Sequence, residues 1–329
     1  MLIQTLGYRL QSVNAHSGSE AIVIGARHRL DDWTWHKDRF EETLGEKLPG
    51  RFAVEWPKDV RLAVLFTFDT QGDIDATTAG APNSMWAPDK INYCDLSMRR
   101  YDVAEGLDRV LRILSKHEVR ATFPTCGLTA EWYPDAVKKL LDHGHEVAAH
   151  GYHHVDLFHL SPTEEREEIG RATDAIGKAI GEQPKGWRSP KYSITDGTLD
   201  LLRDAGYVWD SDLQDQSFPY VLRKDGRELV EIPAALDDWG LYLQLSGGAS
   251  PQMGGTPYGT TEGVLSTLKA EFDILYEESD EEPRVMQLCM HPKITGRPFR
   301  AAVLDRLISY IKQHDGARFM TCSALADLA

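Results

Sequence analysis

The run HGYHH, from His150 to His154, sets two imidazoles four positions apart across a turn that Gly151 permits, so that both can face one ion. A carboxylate normally completes such a set. The ion would be Zn²⁺ or a similar divalent cation, and it would lower the pKa of a bound water towards ~7, which makes hydroxide available at neutral pH. A single histidine at a strand end more often only hydrogen-bonds the backbone. The pair taken together with Asp69 favours the ion. Asp69 follows the apolar run LFTF, where a carboxylate serves as general base, ligand or turn cap. Arg188 ends GW ahead of Ser189 and Pro190, and is either a surface cation or a bidentate clamp on a carboxylate such as Asp69. His291 ends VMQLCM, where it is placed to protonate a departing amine, with a satisfied core histidine as the alternative. Asp237 and Asp238 follow LVEIPA.

Five separate strands must aim these groups at one mouth. In parallel βα architectures catalytic groups gather at the C-terminal ends of the strands, and each of these residues follows a strand-like run. The runs are RLAVLFTF (61–68), VRATFPT (119–125), HEVAAH (145–150), YVWDSD (207–212), LVEIPA (229–234), RVMQLCMH (284–291) and ARFMTC (317–322), with GWRS (186–189) a weaker eighth. Segments of helical period alternate with them, the pattern of an α/β fold with a parallel sheet. Val103, Leu107, Val110, Leu111 and Leu114 share one helical face, while Glu105, Asp108 and Arg112 face water. SPTE predicts a helix from Ser161 to about residue 180, with Ser161 as cap, Pro162 in the first turn and Glu164 closing a capping box. Gly144 and Gly206 stand where helices need a left-handed residue before the next strand.

Residues 60–325 therefore read as one catalytic domain, and residues 1–59 as an N-terminal extension without the βα rhythm, holding AIVIG and the Trp-bearing LDDWTWH. The stretch 74–98, with Trp86 and Tyr93, is long for a connection and reads as a lid or an interface. Residues 246–260 read as a loop. A net charge of -15 opposes attraction to phosphate backbones, so nucleic acid is not an expected partner. The opening MLIQTLGYRL lacks the layout of a secretory signal, and no 18-residue apolar stretch occurs, so a cytoplasmic protein without a membrane partner is expected. Cys94, Cys126, Cys289 and Cys322 form no CxxC pair and read as reduced packing thiols.

In order and spacing, FTFDTQGD, GHEVAAHGYHH, GWRSPKYS, EIPAALDDW and MHPKITGRP resemble the five motifs of the polysaccharide deacetylase (NodB-homology) superfamily. HGYxH, GWRSP and HPxxxGRP are closest to the branch that holds peptidoglycan deacetylase-like proteins and allantoinase- or cyclic imidase-like enzymes. The resemblance spans about residues 60–323 and implies a distorted (β/α)7 barrel, hydrolysis of a non-peptide carbon–nitrogen bond, and a homo-oligomer. Carried over residue by residue, Asp69 is the base, His150 and His154 bind the metal, Arg188 orients Asp69, His291 is the acid, and Asp238 or Asp237 supports it. His153 falls at a variable position. The chain departs from the pattern where an acidic metal ligand belongs one or two positions after the base, because Thr70 and Gln71 stand there. Gln71 through its carbonyl oxygen, or Asp73, is then the candidate third ligand of a divalent ion such as Zn²⁺.

The expected function is metal-assisted attack of water on an amide, with Asp69 taking a proton, His291 returning one, and backbone N–H groups near Tyr192 holding the oxyanion. The substrate is a glycan or a small molecule. An acetylated amino sugar needs an open groove, whereas a cyclic imide or ureide needs a small pocket under the 74–98 segment. A third reading is a non-catalytic carbohydrate- or metabolite-binding protein whose metal site decayed at Gln71. Retention of Asp69, Arg188 and His291 speaks against it, since binding alone needs no acid beside a base.

Overall fold

A computed structural model of the chain describes residues 11–13, 21–23, 34–48, 56–74, 93–234, 236–238 and 260–329. Two compact units divide it, Met1–Thr43 and Leu44–Ala329. The first holds the antiparallel pair β1 (Gln11–Val13) and β2 (Ala21–Val23) and most of the helix Thr34–Leu44.

The second unit holds eleven strands in one sheet: β3 (Glu46–Leu48), β4 (Leu62–Phe68), β5 (Thr122–Thr125), β6 (Glu146–Ala149), β7 (Gly186–Trp187), β8 (Trp209–Asp210), β9 (Tyr220–Lys224), β10 (Arg227–Glu231), β11 (Leu236–Asp237), β12 (Arg284–Met290) and β13 (Ala317–Met320). Their order is β11-β12-β4-β5-β6-β7-β8-β10-β9-β3, with β13 on β4. Every pairing from β11 to β10 is parallel. This is the curled parallel sheet with intervening helices of a distorted (β/α)7 barrel, as the motifs imply. The distortion has a local cause. β13 pairs with the first half of β4 (Leu62 to Leu65), whereas β5 reaches β4 only through Thr67↔Thr122.

LAVLFTF is buried along its whole length, as a strand covered on both faces must be. Alternation then sorts its side chains. Leu62, Val64, Phe66 and Phe68 join the large core beneath the helices, with Leu107, Val110, Leu111 and Leu114. Ala63 and Leu65 join a second cluster with Ala148, Trp209, Val221, Val230, Ile232 and Val285, which fills the curled interior. Continuing that inward face along β4 leads to Thr67 and then Asp69. On β12 the same count leads from Val285 through Gln287 and Cys289 to His291; on β6 it leads from Ala148 to His150.

Several predicted elements appear with shifted ends. The amphipathic helix spans Leu107–Lys116, and Asp102–Gly106 ahead of it is a π-helical turn that follows the helix Tyr93–Tyr101. The capping box at Ser161 and Glu164 is formed in both directions, and the helix runs Pro162–Ile180. Gly144 (φ +72°) and Gly206 (φ +82°) are left-handed at their helix-to-strand junctions. YVWDSD contributes only Trp209–Asp210 to the sheet. The backbone beyond turns to side chains instead, since the N–H groups of Asp212 and Leu213 donate to Glu231 Oε1.

The hairpin β9–β10 was not among the predicted elements, although Asp225-Gly226, both at positive φ, is the signature of its turn. β3, from the part of the chain ahead of residue 60, pairs with β9. Residues 75–92 of the predicted lid, Trp86 among them, and residues 246–259 of the predicted loop lie outside the described residues. Thr260 caps the helix Thr261–Glu278. None of the four cysteines is in a disulfide, and no helix among the described residues is long and apolar enough to cross a membrane.

Candidate active site

β4 and β12 run in register with Phe68 opposite Met290, so the residues just beyond them, Asp69 and His291, emerge side by side. The Asp69 N–H donates to the Met290 carbonyl at 2.7 Å. Arg188, fully buried beyond β7, donates from one terminal nitrogen to Asp69 Oδ1 (2.9 Å), Thr67 Oγ1 (2.7 Å) and Cys289 Sγ (3.3 Å). Its other two nitrogens reach Ser211, through the hydroxyl at 2.9 Å and the carbonyl at 3.3 Å. The expected two-pronged clamp on Asp69 is therefore a single prong, and the rest of the fork ties β7 to the end of β8. Asp238 receives the His291 side chain (Nδ1 to Oδ1, 2.8 Å), the His291 N–H (2.9 Å) and the Thr295 hydroxyl (2.6 Å). Asp237 faces the Tyr192 hydroxyl at 3.4 Å instead.

His150 Nδ1 lies 2.9 Å from the Arg188 carbonyl, which only accepts, so Nδ1 carries the proton and Nε2 presents a lone pair. That Nε2 is 3.7 Å from Asp69 Oδ2. The His154 ring lies 5.0 Å from the His150 ring, centroid to centroid. Gly151, at φ +68°, makes this turn; a Cβ there would come within 2.7 Å of the Pro190 ring. His153 leaves the group to bond Glu168 at 2.9 Å, and the same carboxylate takes the N–H of Tyr152 at 2.8 Å and that of His153 at 2.5 Å.

Burial is the largest influence on the Asp69 carboxyl and would raise it, but the neighbouring positive charges, Arg188 foremost and His291 with it, together with the Arg188 hydrogen bond, hold it at about 2. For His291 burial works downward and is overcome by Asp238, by charge and by hydrogen bond, so the ring is pushed up to about 9. His150 goes the other way: burial is the largest influence and brings it down to about 3. At neutral pH the site thus holds a carboxylate, an imidazolium and a neutral imidazole. The close approach of His150 to Asp69 is not an ion pair, because the ring is uncharged.

The chemistry of the donors decides whether a divalent ion fits. His150 Nε2 is a competent ligand atom, but the Gln71 amide nitrogen stands 3.3 Å from it, and the Gln71 carbonyl oxygen accepts from the Lys293 ammonium. Asp73 is turned aside, held by Arg100 at 2.8 Å and by the Tyr133 hydroxyl at 2.7 Å. Neither candidate third ligand presents a carboxylate to the two histidines, so this donor set does not fit a divalent ion. Elsewhere among the described residues, ligand atoms of Asp237, Cys289 and His291 lie within 4.8 Å of one another. That triad suits a cation no better. Burial and the Asp69 charge keep the Cys289 thiol protonated, and the Arg188 guanidinium already touches its sulfur.

The structure adds residues that motif reasoning left without a role. Asp102 Oδ2 accepts the N–H groups of Gln71 (2.7 Å) and Gly72 (2.6 Å). Asp212 holds Ser189 by its N–H (2.7 Å) and hydroxyl (2.6 Å), directly after Arg188. Burial drives the neighbouring carboxyls of Asp210, Asp212 and Glu231 upward. Lys293 lies inside the HPKITGRP motif but reads as one more solvated lysine; it is 2% exposed. Of the backbone N–H groups near Tyr192 expected to hold an oxyanion, that of Tyr192 donates to the Ser189 carbonyl at 3.3 Å and that of Ser193 to the Pro190 carbonyl at 3.2 Å.

A family model described as polysaccharide deacetylase matches residues 98–209. The peptidoglycan deacetylase of Helicobacter pylori is 27% identical over 281 residues, covering 78% of this chain and 93% of that protein. A crystal structure from Mycobacterium smegmatis, described as a polysaccharide deacetylase, is 30% identical with a TM-score of 0.73, covering 86% of this chain and 94% of the other. The crystal structure of an allantoinase has the same fold at 23% identity, with a TM-score of 0.72 and coverage of 85% and 93%.

Proposed function

Because this chain belongs to the NodB-homology polysaccharide deacetylase superfamily, we propose that it hydrolyses the amide of an N-acetylated amino sugar, releasing acetate and a free amine. The observation that supports this is the pairing of opposite protonation states on neighbouring strand ends: Asp69 ionised by Arg188, and His291 charged by Asp238. In this reading Asp69 takes a proton from water as the water oxygen bonds to the acyl carbon. His291 is held by Nδ1 on Asp238, so its Nε2–H is the proton delivered to the amide nitrogen as the carbon–nitrogen bond breaks. Arg188 keeps Asp69 in its basic form and fixed in place; it is a positioning residue. Water adds one hydroxyl to the acyl group and one hydrogen to the amine, so the reaction balances without a further reagent. Metal dependence is general in this family.

The experiment is acetate release from N-acetylated chitooligosaccharides and peptidoglycan fragments, beside ring opening of succinimide and of a cyclic ureide. Wild-type protein should release acetate, and Asp69→Asn and His291→Asn should each lose at least about 100-fold in kcat/KM, the scale of general acid–base catalysis. Ring opening without acetate release would move the reading to a cyclic imide or ureide hydrolase, and no turnover in either series would leave a binding protein.

A further inference from the structure

Gln71 is pinned on both sides of its backbone, its N–H on Asp102 Oδ2 at 2.7 Å and its carbonyl under the Thr129 hydroxyl at 2.6 Å. The side chain therefore has little choice of direction. An ammonium only donates, so the contact with Lys293 identifies the Gln71 atom there as the carbonyl oxygen and turns the amide NH₂ towards His150 Nε2. His150 Nε2 carries a lone pair, because Nδ1 is bonded to the Arg188 carbonyl. One directed chain results: the Lys293 ammonium donates to the Gln71 oxygen, the Gln71 amide faces the His150 lone pair, and the His150 Nδ1–H donates to the Arg188 carbonyl.

We propose that Lys293, docked on Gln71, takes the place of a divalent cation in this chain, so that the positive charge at this pole of the site is built into the polypeptide and a metal ion is excluded. The two side chains are complementary halves of one device. An amide at position 71 accepts from an ammonium with one end and donates to a neutral imidazole with the other. A carboxylate there would have no hydrogen for His150 and would instead offer an ion the anionic oxygen it needs. A divalent ion would also meet the buried ammonium of Lys293 at close range, in surroundings that screen charge poorly. Lys293 has its own place secured, on the turn Pro292–Thr295 that follows His291; burial pushes the nearby Asp102 carboxyl up, and the Lys293 charge works against that rise. The charge thus lies beside the acid, where negative charge on an acyl oxygen needs a neighbour. The inference rests on the amide-hydrolase reading only for the use made of the charge. Occupancy of the ion site is read without any substrate, so the two ideas fail separately.

The test is titration of chelator-stripped full-length protein with Zn²⁺ by calorimetry and with Co²⁺ by visible absorption, for wild type, Lys293→Met and Gln71→Asp/Lys293→Met. Circular dichroism melts check that each is folded. Wild type should show no saturable uptake, and the double variant should take up one ion per chain, at least 100-fold more tightly. One tightly held ion in wild type would overturn the proposal. So would a folded double variant as silent as wild type, since these two side chains would then not be what excludes the ion. Should the double variant fail to fold, Lys293→Met alone decides: at least tenfold tighter Co²⁺ binding than wild type supports the exchange, and unchanged binding overturns it.

Discussion

Arg188 shows how much one side chain can carry at the residue scale, since it touches Thr67, Asp69, Cys289 and Ser211 from full burial. Arg188→Met strands the Asp69 carboxylate without its cation. We expect a loss of about 3–5 kcal/mol in stability by urea denaturation, the scale for one partner removed from a buried pair. The acidic limb of the rate profile should also move to higher pH. The sign follows from Asp69: its carboxyl is held down to about 2 mainly by Arg188 against burial, so removing the cation lets burial raise it. His291 works in the opposite sense. Its ring is raised to about 9, so it keeps its proton through neutral pH and loses it as pH climbs past that value. Activity should fall on the alkaline side accordingly, and Asp238→Asn, which removes the upward influence, should bring that limb down by about one pH unit or more. The pH dependence of kcat/KM checks both. Asp69, Arg188, His150 and His291 were legible as candidates because each follows a strand-like run, and parallel βα sheets gather polar groups at the strands' C-terminal ends. Lys293 was not: a lysine after His-Pro reads as solvated until Gln71 and Asp102, about 220 and 190 positions away, are seen to close over it.

At the scale of elements, the site depends on a close approach between two turns. A Cβ on Gly106 would stand 2.2 Å from the Pro292 carbonyl oxygen, and one on Gly296 would stand 2.5 Å from the Gly106 Cα. The turn Pro292–Thr295, with His291 at its head and Lys293 in its first turn, therefore sits directly against the π-helical turn Asp102–Gly106. Gly106→Ala should cost about 1–3 kcal/mol by overpacking and reduce kcat/KM as well, because the strain falls on the acid's own turn. Ser161→Ala makes the contrast. It removes one cap from the helix Pro162–Ile180 and should cost about 1 kcal/mol with kcat/KM unchanged. Thermal melts and steady-state rates separate the two outcomes. The Ser161 cap was readable because S-x-x-E is a local signature. The π-helical turn was not, because its closeness to Pro292 arises from strand order alone; nor was the shortening of YVWDSD, which follows from a carboxylate, Glu231, that arrives from another strand.

For the whole molecule, the unit Leu44–Ala329 carries its own sheet, both hydrophobic clusters and every candidate site residue. A chain of residues 44–329 should therefore melt in one cooperative transition by circular dichroism. A broad, non-cooperative melt would show that residues 1–43 contribute to the fold. The alternating βα pattern disclosed a parallel α/β sheet, because strands such as LAVLFTF are short and continuously buried; the barrel itself was implied by the resemblance of the motifs. The antiparallel pairing of β3 with β9 stayed hidden because EKL has no apolar run of its own. The pairing of β4 has a consequence in time. β4 lies near the start of the unit, yet its partners β12 and β13 begin at Arg284 and Ala317. A ribosome makes Asp69 long before the neighbour that completes its strand, and N-terminal segments begin to fold while synthesis continues at about 5–20 residues per second. Asp69 and His291 therefore meet only when the unit Leu44–Ala329 is nearly complete, and a nascent chain that stops short of β12 holds the base without the acid.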